Sequence, residues 1–177
     1  MGQFRFIQVL ELNITMTPDY IELLHDYKVD LAKLLEEYDI VKHLLSDRKR
    51  PNSSVLIQRA LNLAQGHRPS DTLASLPYTL SVAQHVMSQY HFNTVTYRCI
   101  MPDTCYSWHT DFSQVCMHIP LITNEGCRFV YEDRVFHMPA DGSVYIVNNE
   151  KPHSFMNGGS KPRIHITFEN FGSKPLR

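Results

Sequence analysis

Four residues in the second half of the sequence could form a metal site with an anion site beside it. His109 and Asp111 stand two apart in the segment SWHTDF, His153 follows the turn NNEKP, and Arg163 comes ten residues after His153. Two imidazoles and a carboxylate on one face of a metal leave the opposite face open, which suits Fe(II) because oxygen and a second ligand can bind there. Arginine suits the far carboxylate of a dicarboxylate ligand, since its planar guanidinium donates two parallel hydrogen bonds.

Each of these residues also has a simpler interpretation. His109 and Asp111 could be a hydrogen-bonded pair within a loop, because motifs this short arise by chance. His153 could be a surface histidine in a turn, and Arg163 a surface arginine at the start of a strand. The order of all four residues along the chain favours the metal site over these separate interpretations.

Short β-prone segments surround the four residues. Seven strands are predicted, at 93–100, 115–122, 127–132, 134–138, 143–147, 153–156 and 163–169. Turn residues separate them, in the sequences TNEG, ADG and NGG. Many short strands at nearly even spacing are typical of an antiparallel sandwich or small barrel. His109 and Asp111 would then lie in a loop between two strands, at the mouth of the barrel.

The first half of the chain carries mostly helical patterns. Residues 3–14 alternate loosely and predict one or two strands. The sequence TPD predicts the start of a helix at residue 17, which bends near 28–30 and ends before Pro51. A second helix is predicted from a serine cap at 53 or 54 to Gly66, and a third over 80–90. We therefore predict one α+β domain over 1–177, with a mainly helical part at 1–91 packed on a barrel core at 92–171.

The composition is that of an ordinary globular protein. The chain has 177 residues, of which 43% are hydrophobic and 20% charged, and its net charge is -1 with histidine neutral. This charge gives no basic excess for binding nucleic acid or an anionic membrane. No apolar run approaches the roughly 20 residues of a membrane helix, and MGQFRFIQVLEL lacks the pattern of a secretory signal. We expect a cytoplasmic protein with no nucleic-acid and no membrane partner.

The four cysteines indicate reduced thiols. Cys99, Cys105, Cys116 and Cys127 include no C-x-x-C pair, so their spacing does not fit a structural zinc site.

Longer segments around the four candidate residues resemble a known family. MPDTCYSWHTD is similar to a Pro-x-Thr segment that leads into the first ligand histidine of that family. MHIPLITNEGCRF is similar to its histidine-containing strand with a Gly-Cys turn, and DGSVYIVNNEKPHSFMNGGSKPRIHITF to its second histidine and following arginine. By these motifs, residues 93–171 resemble the aspartyl/asparaginyl β-hydroxylases, a family of Fe(II)- and 2-oxoglutarate-dependent dioxygenases that includes bacterial proline-hydroxylase-like members. Residues 1–92 show no motif-level match.

The resemblance implies both a fold and a set of site residues. The fold would be a double-stranded β-helix, which is a jelly-roll or cupin-like barrel, with the N-terminal helices packed on it. His109, Asp111 and His153 match the catalytic iron ligands of the family, and Arg163 matches the arginine that binds 2-oxoglutarate. His118 matches a family histidine near this co-substrate.

The resemblance also implies a reaction. The enzyme would use Fe(II), O₂ and 2-oxoglutarate to hydroxylate an amino acid, either as a small molecule or within a peptide. 2-Oxoglutarate would be decarboxylated to succinate. Proline and aspartate or asparagine are the leading substrates. Some β-hydroxylases of the secretory pathway have no carboxylate at the Asp111 position, so the complete triad aligns this chain with the bacterial and free amino acid branch.

Three further residues are candidate substrate contacts. Arg98 could pair with a substrate carboxylate or with an acidic neighbour, and a smaller polar residue can stand at this position in relatives. Trp108 flanks the predicted site, although packing would also explain it. His165 shares the strand face of Arg163 and would point into the barrel, where a ligand contact or a buried hydrogen bond would suit it.

Two alternatives to a dioxygenase stay open at this point. One is a non-catalytic cupin-like module that binds a metal or a small molecule. The other is a metal-dependent enzyme of the same barrel that uses no 2-oxoglutarate. Arg163 separates both from the main interpretation, because neither needs an arginine ten residues after the last ligand.

Overall fold

The computed structural model describes residues 17–45, 52–58, 67–90 and 92–170. None of the helices in these residues is long and apolar enough to cross a membrane. The strands and helices follow one another in the order β1 (Ile21–Lys28), α1 (Leu31–Leu45), β2 (Asn52–Gln58), α2 (Asp71–Ala74), α3 (Pro77–Gln89), β3 (Thr94–Ile100), β4 (Thr104–Cys105), β5 (Val115–Ile122), β6 (Cys127–Tyr131), β7 (Val135–Phe136), β8 (Ser143–Asn148), β9 (His153–Asn157) and β10 (Arg163–Glu169).

The strands form two antiparallel sheets. The larger sheet has the order β1-β8-β5-β10-β3-β2, and the smaller has the order β4-β9-β6-β7. Apolar side chains from both sheets pack together in one cluster, which contains Ile100, Phe129, Tyr131, Met138, Val147 and Phe155. The inner faces of the two sheets therefore enclose the interior of a barrel, as in other packed antiparallel sheets.

The central strand β10 has two chemically different faces, although all of its residues are buried. Ile164, Ile166 and Phe168 belong to the main apolar core, which the larger sheet shares with α1 and α3. The four polar residues that alternate with them face the barrel interior, and these are Arg163, His165, Thr167 and Glu169. Successive side chains of a strand point to opposite faces, so the same seven residues build both the core and the interior wall.

The barrel predicted from the sequence is confirmed. β5 and β10 have the predicted bounds, and β3, β6, β7, β8 and β9 lie within about one or two residues of theirs. The two-residue strand β4, which pairs with β9 directly before the SWHTDF segment, was not predicted.

The helix predicted to begin at residue 17 is wrong in its first part, because residues 21–28 form a strand. This segment is β1, which pairs with β8 and places Ile21 opposite Val147. The helix begins only after Asp30, whose side chain accepts hydrogen bonds from the N–H groups of Ala32 and Lys33. Pairing overrides the local TPD signal because β8 would otherwise present an unpaired edge.

The predicted second helix is also wrong in its described part, where β2 pairs with β3 and places Val55 opposite Tyr97. The N-terminal part is therefore less helical than expected, since it supplies both edge strands of the larger sheet. The third helix is confirmed as α3. The strands predicted at 3–14 and the helical segments predicted at 46–51 and 59–66 lie outside the described residues.

Glu37 joins two of the helices that cover the larger sheet. Its buried carboxylate on α1 accepts hydrogen bonds from Tyr78 N (2.6 Å) and Thr79 N (2.7 Å) in the first turn of α3. Leu76, at the N-cap of α3, makes no side-chain hydrogen bond. Glu37 therefore supplies acceptors that the N-cap residue does not, and its charge faces the positive end of the α3 dipole.

Removing the Glu37 carboxylate should destabilise the protein. In Glu37→Ala, two N–H groups lose their acceptor, and each costs about 1–3 kcal/mol when buried. We expect a decrease of about 2–4 kcal/mol in the free energy of unfolding, measured by urea denaturation. The exposed neighbour Glu36 on the same helix provides the control, since Glu36→Ala should change this free energy by less than about 0.5 kcal/mol. Equal losses in the two variants would contradict this role for Glu37.

Candidate active site

A backbone bridge brings the two candidate ligand histidines side by side. His109 N donates to His153 O (3.0 Å), and His153 N donates to His109 O (2.9 Å). Residues exchanging both bonds in this way have Cα atoms about 5.5 Å apart, and the two imidazole centroids are 4.5 Å apart. Asp111 is held by a third backbone bond, which its N–H donates to Asn149 O (3.0 Å).

The donor atoms of His109, Asp111 and His153 all lie within 4.8 Å of one another. His109 Nε2 is 3.8 Å from Asp111 Oδ1, and His153 Nε2 is 3.9 Å from Asp111 Oδ2. The Nδ1 atoms of the histidines lie 2.8 Å and 2.9 Å from the carbonyls of Ser107 and Lys151. Because a carbonyl only accepts, each Nδ1 carries the proton and each Nε2 is left with the lone pair that a metal needs.

The triad has a protein side and an open side. His153 is buried, and Phe129 stacks on its ring with centroids 4.9 Å apart. Burial lowers the pKa of His153 below its ordinary value, which favours the neutral form that binds metals. The Asp111 side chain is 41% exposed, so the opposite side of the triad is accessible from solvent.

Arg163 is a buried cation that has no ion-pair partner among the described residues. It is 2% exposed, and its guanidinium lies over the ring of Phe155 at 3.7 Å. Its Nη2 donates to His165 Nδ1 (2.6 Å), and no carboxylate of the described residues forms an ion pair with it. Burial lowers the pKa of Arg163 to about 9, so the group is still charged at neutral pH. A buried charge is costly unless an opposite charge compensates it.

Two unsatisfied polar atoms belong to residues that line the same small cavity as Arg163. This cavity is narrow, and Phe129 and Phe155 also line it. Arginine has no acceptor, so His165 Nδ1 accepts from Arg163 and the proton of this neutral imidazole is on Nε2. His165 Nε2 and Thr123 Oγ1 have no hydrogen-bond partner among the described residues. His118 lies beside His165, with the two Nδ1 atoms 3.2 Å apart.

A second pocket opens beside Asp111 at the barrel mouth. Its lining residues are Arg98, Asp111, Phe112, Ser113, Glu169 and Asn170. Arg98 forms an ion pair with Glu169 and donates from Nε to Thr167 Oγ1 (3.1 Å). The Arg98 side chain is nevertheless 37% exposed, so it is accessible from the pocket that it lines.

The residues predicted from the sequence fall into three places. His109, Asp111 and His153 come together as one group, and Arg163, His118 and His165 form another in the interior. Arg98 lies in the mouth pocket, while Trp108 is exposed beside the triad.

Sequence reasoning missed three polar residues around these sites. The position of Glu169 could have been predicted from the sequence. It lies an even number of residues after Arg163 on β10, and side chains at even spacing share one face of a strand. The positions of Thr123 and Asn149 could not, since they depend on how loops fold back on the barrel.

The aspartyl/asparaginyl β-hydroxylase family model matches residues 30–171 of the chain. The chain belongs to this family. The family prediction made from 93–171 is thus confirmed, and the match extends over α1 and β2, where the sequence motifs gave no signal.

One curated relative is the L-proline cis-4-hydroxylase from Rhizobium meliloti (strain 1021). It is 32% identical over 71 residues, which cover 40% of this chain and 25% of that enzyme. The matched segment therefore spans a quarter of the relative's length.

Solved structures support the same barrel. The viral collagen prolyl hydroxylase of Paramecium bursaria Chlorella virus-1, in its complex with 2OG, has a TM-score of 0.56 at 12% identity, over 85% of this chain and 94% of that one. A prolyl hydroxylase from Trichoplax adhaerens, in complex with a peptide fragment of hypoxia inducible factor, has a TM-score of 0.57 at 12% identity, over 84% of this chain and 82% of that one. At this identity the likeness concerns the fold, and it confirms the double-stranded β-helix.

His118 and His165 should make the stability of the metal-free protein depend on pH. Burial, followed by the nearby charge of Arg163, lowers the pKa of both well below the ordinary value. Below about pH 6.5 the unfolded chain binds a proton on each histidine, whereas the folded protein does not. The free energy of unfolding should therefore fall as the pH is lowered, by up to about 1.4 kcal/mol per pH unit for each histidine.

Substituting His165→Gln should remove one of these two contributions. We expect the slope of unfolding free energy against pH, measured by urea denaturation between about pH 6.5 and pH 5, to decrease by up to about 1.4 kcal/mol per unit. Measurement near pH 8, where the imidazole is neutral in both states, isolates the packing cost of the substitution. An unchanged slope would show that His165 does not stay neutral in the folded protein.

Proposed function

We propose that this protein is an Fe(II)- and 2-oxoglutarate-dependent dioxygenase that hydroxylates an amino acid. The observation that carries the proposal is the buried charge of Arg163, which has no ion-pair partner among the described residues. Arg163 lines a narrow interior cavity of the same barrel that holds the three-donor group. A bound dicarboxylate would supply the missing negative charge. A module that binds a metal alone gives no reason to keep this cation buried.

Fe(II) would be held by His109, Asp111 and His153. Two neutral imidazoles and one carboxylate on a single face suit this metal and leave positions for further ligands. The free Nε2 lone pairs and the backbone bridge between the histidines support the assignment, because they orient both ligands before a metal binds. The exposure of Asp111 supports an open face directed toward the pocket beside it.

Arg163 would bind the distal carboxylate of 2-oxoglutarate. Its charge, the unpaired Nε2–H of His165 and the Thr123 hydroxyl would together provide three donors to that carboxylate. His118 would support this end of the co-substrate through its contact with His165. His165 was predicted as a substrate contact, and we assign it instead to the co-substrate because it contacts Arg163 directly.

The chain's own residues would bind and orient the reactants. When bound, the metal centre with 2-oxoglutarate and O₂ would supply the oxidation, which releases CO₂ and delivers one oxygen atom to the substrate and the other to succinate. The buried walls around His153 and Phe155 would exclude water from this reaction.

The substrate would occupy the pocket beside Asp111. We propose a free amino acid, with proline and aspartate or asparagine as leading candidates, whose carboxylate binds the exposed part of Arg98. Trp108 would form an adjacent wall. The proline hydroxylase relative supports this class of substrate.

Variants of the metal ligands and of Arg163 should separate metal binding from co-substrate binding. His109→Ala should abolish Co(II) binding, with Co(II) serving as an air-stable probe for Fe(II). Arg163→Met should retain Co(II) binding and weaken 2-oxoglutarate binding by roughly 100-fold, about 2.7 kcal/mol, in calorimetric titration. Arg134→Met, at an exposed arginine, is the control and should bind 2-oxoglutarate normally. Unchanged 2-oxoglutarate affinity in Arg163→Met would make the assignment of Arg163 wrong.

Turnover should require both the metal and a substrate. We expect succinate to form from 2-oxoglutarate when the Fe(II)-loaded protein receives O₂ and a matching amino acid from a panel, with hydroxylated product in equal amount. Metal-loaded protein that binds no 2-oxoglutarate would overturn the dioxygenase proposal. Binding without turnover on any free or peptidyl amino acid would instead support a binding module.

Substitution of the ion pair between Arg98 and Glu169 at the barrel mouth should affect substrate binding alone. The double variant Arg98→Gln with Glu169→Gln leaves no buried carboxylate without its cation. We expect its KM for the amino acid to rise at least roughly tenfold, about 1.4 kcal/mol, while its affinities for Co(II) and 2-oxoglutarate stay unchanged. An amide derivative of the amino acid, which lacks the carboxylate, should bind the wild-type protein and the double variant equally weakly. An unchanged KM would contradict the role of Arg98.

A further inference from the structure

Asn149 lies directly against the carboxylate of Asp111. Its Nδ2 donates to Asp111 Oδ2 (2.8 Å), and its carbonyl accepts from Asp111 N (3.0 Å). Its own N–H donates to Gln114 O (2.8 Å), and the residue is buried. Asn149 is therefore fixed by its backbone and contacts Asp111 at two points.

The amide of Asn149 is retained at a cost to stability. Its Oδ1 is buried and has no hydrogen-bond partner among the described residues. A buried acceptor without a partner destabilises the folded state, and such a group in a folded protein calls for a reason. Rotating the amide by half a turn would not help, because Oδ1 would then face the negative carboxylate of Asp111. The orientation that leaves Oδ1 unpaired is the one that donates to Asp111.

We propose that Asn149 is a positioning residue that fixes which oxygen of Asp111 binds the metal. Oδ2, which is 3.9 Å from His153 Nε2, accepts the Asn149 hydrogen bond, and this leaves Oδ1, which is 3.8 Å from His109 Nε2, as the ligand atom. The Asp111 side chain is 41% exposed, so little else restrains its rotation. With Oδ2 engaged by Asn149, Asp111 would offer Oδ1 alone to a metal held by the triad. This inference rests on the proposed metal site.

The test compares metal affinity with fold stability in one variant. Asn149→Leu keeps nearly the same shape but removes both the donor and the unpaired acceptor. We expect its Co(II) dissociation constant, measured by visible absorption titration, to rise roughly 10- to 100-fold, the usual effect of losing a hydrogen-bonding partner of a ligand. Its urea midpoint without metal should stay equal or rise, because the unpaired acceptor is gone. The absorption bands of bound Co(II) should also shift, since Asp111 can then bind through both oxygens.

The adjacent Asn148 offers a matched control. It is also buried, but it donates to Pro18 O (2.9 Å), accepts from Glu150 N (3.0 Å) and contacts none of the three candidate ligands through its side chain. Asn148→Leu should lower the urea midpoint and leave the Co(II) dissociation constant within about threefold of the unchanged protein.

Three results would overturn the positioning role. The first is an Asn149→Leu protein that binds Co(II) as tightly as the unchanged protein. The second is an equal loss of affinity in the Asn148 variant, which would indicate a general effect on the fold. The third is a wild-type protein that does not bind Co(II). This result would overturn the metal site itself, whereas the other two would overturn only the role of Asn149. If Asn149→Leu does not fold, Asn149→Ala replaces it with the same expected loss of affinity.

Discussion

The alternation of side chains along the larger sheet is the constraint on which the other features of this protein depend. Each central strand is buried on both faces, so one face must join the apolar core and the other must line the barrel. β10 meets this requirement with three apolar residues toward the helices and four polar residues toward the interior. A shift of one residue in its pairing with β3 or β5 would exchange the two sets. The same register that protects the core therefore also fixes the row of polar groups that leads from Arg163 to Glu169.

The two arginines inside the barrel show how this polar row is balanced. Arg98 is neutralised by Glu169 and further held by Thr167. Arg163 has a histidine and an aromatic ring as neighbours but no carboxylate among the described residues. The charge of Arg98 is therefore neutralised within the described residues, whereas the end of the interior at Arg163 has an excess positive charge. This difference supports a dicarboxylate in the cavity, and it also explains why His118 and His165 are held in their neutral forms beside Arg163.

Much of the barrel could be predicted because its strands are short, β-prone and separated by turn residues. The N-terminal part could not, because the segments that form β1 and β2 also fit helical patterns. Their conformation is decided by the open edges of β8 and β3, which lie far away in sequence. The candidate ligands and Arg163 could be proposed from residue type, order and family resemblance. Thr123 and Asn149 lie within the quoted segments, but their roles could not be proposed because their contacts depend on how the loops fold back on the barrel.

The sequence by itself determined the family, the barrel class and the chemical types of the candidate site residues. These properties are local, since they depend on strand patterns and on motifs read in order along the chain. Only the tertiary structure decided that the histidines at 109 and 153 are direct backbone partners and that Asn149 lies against Asp111. It also decided that, among the described residues, Arg98 has a carboxylate partner and Arg163 has none. Each of these facts depends on the distance between residues that are remote in sequence, and such distances are set by how the sheets close on one another.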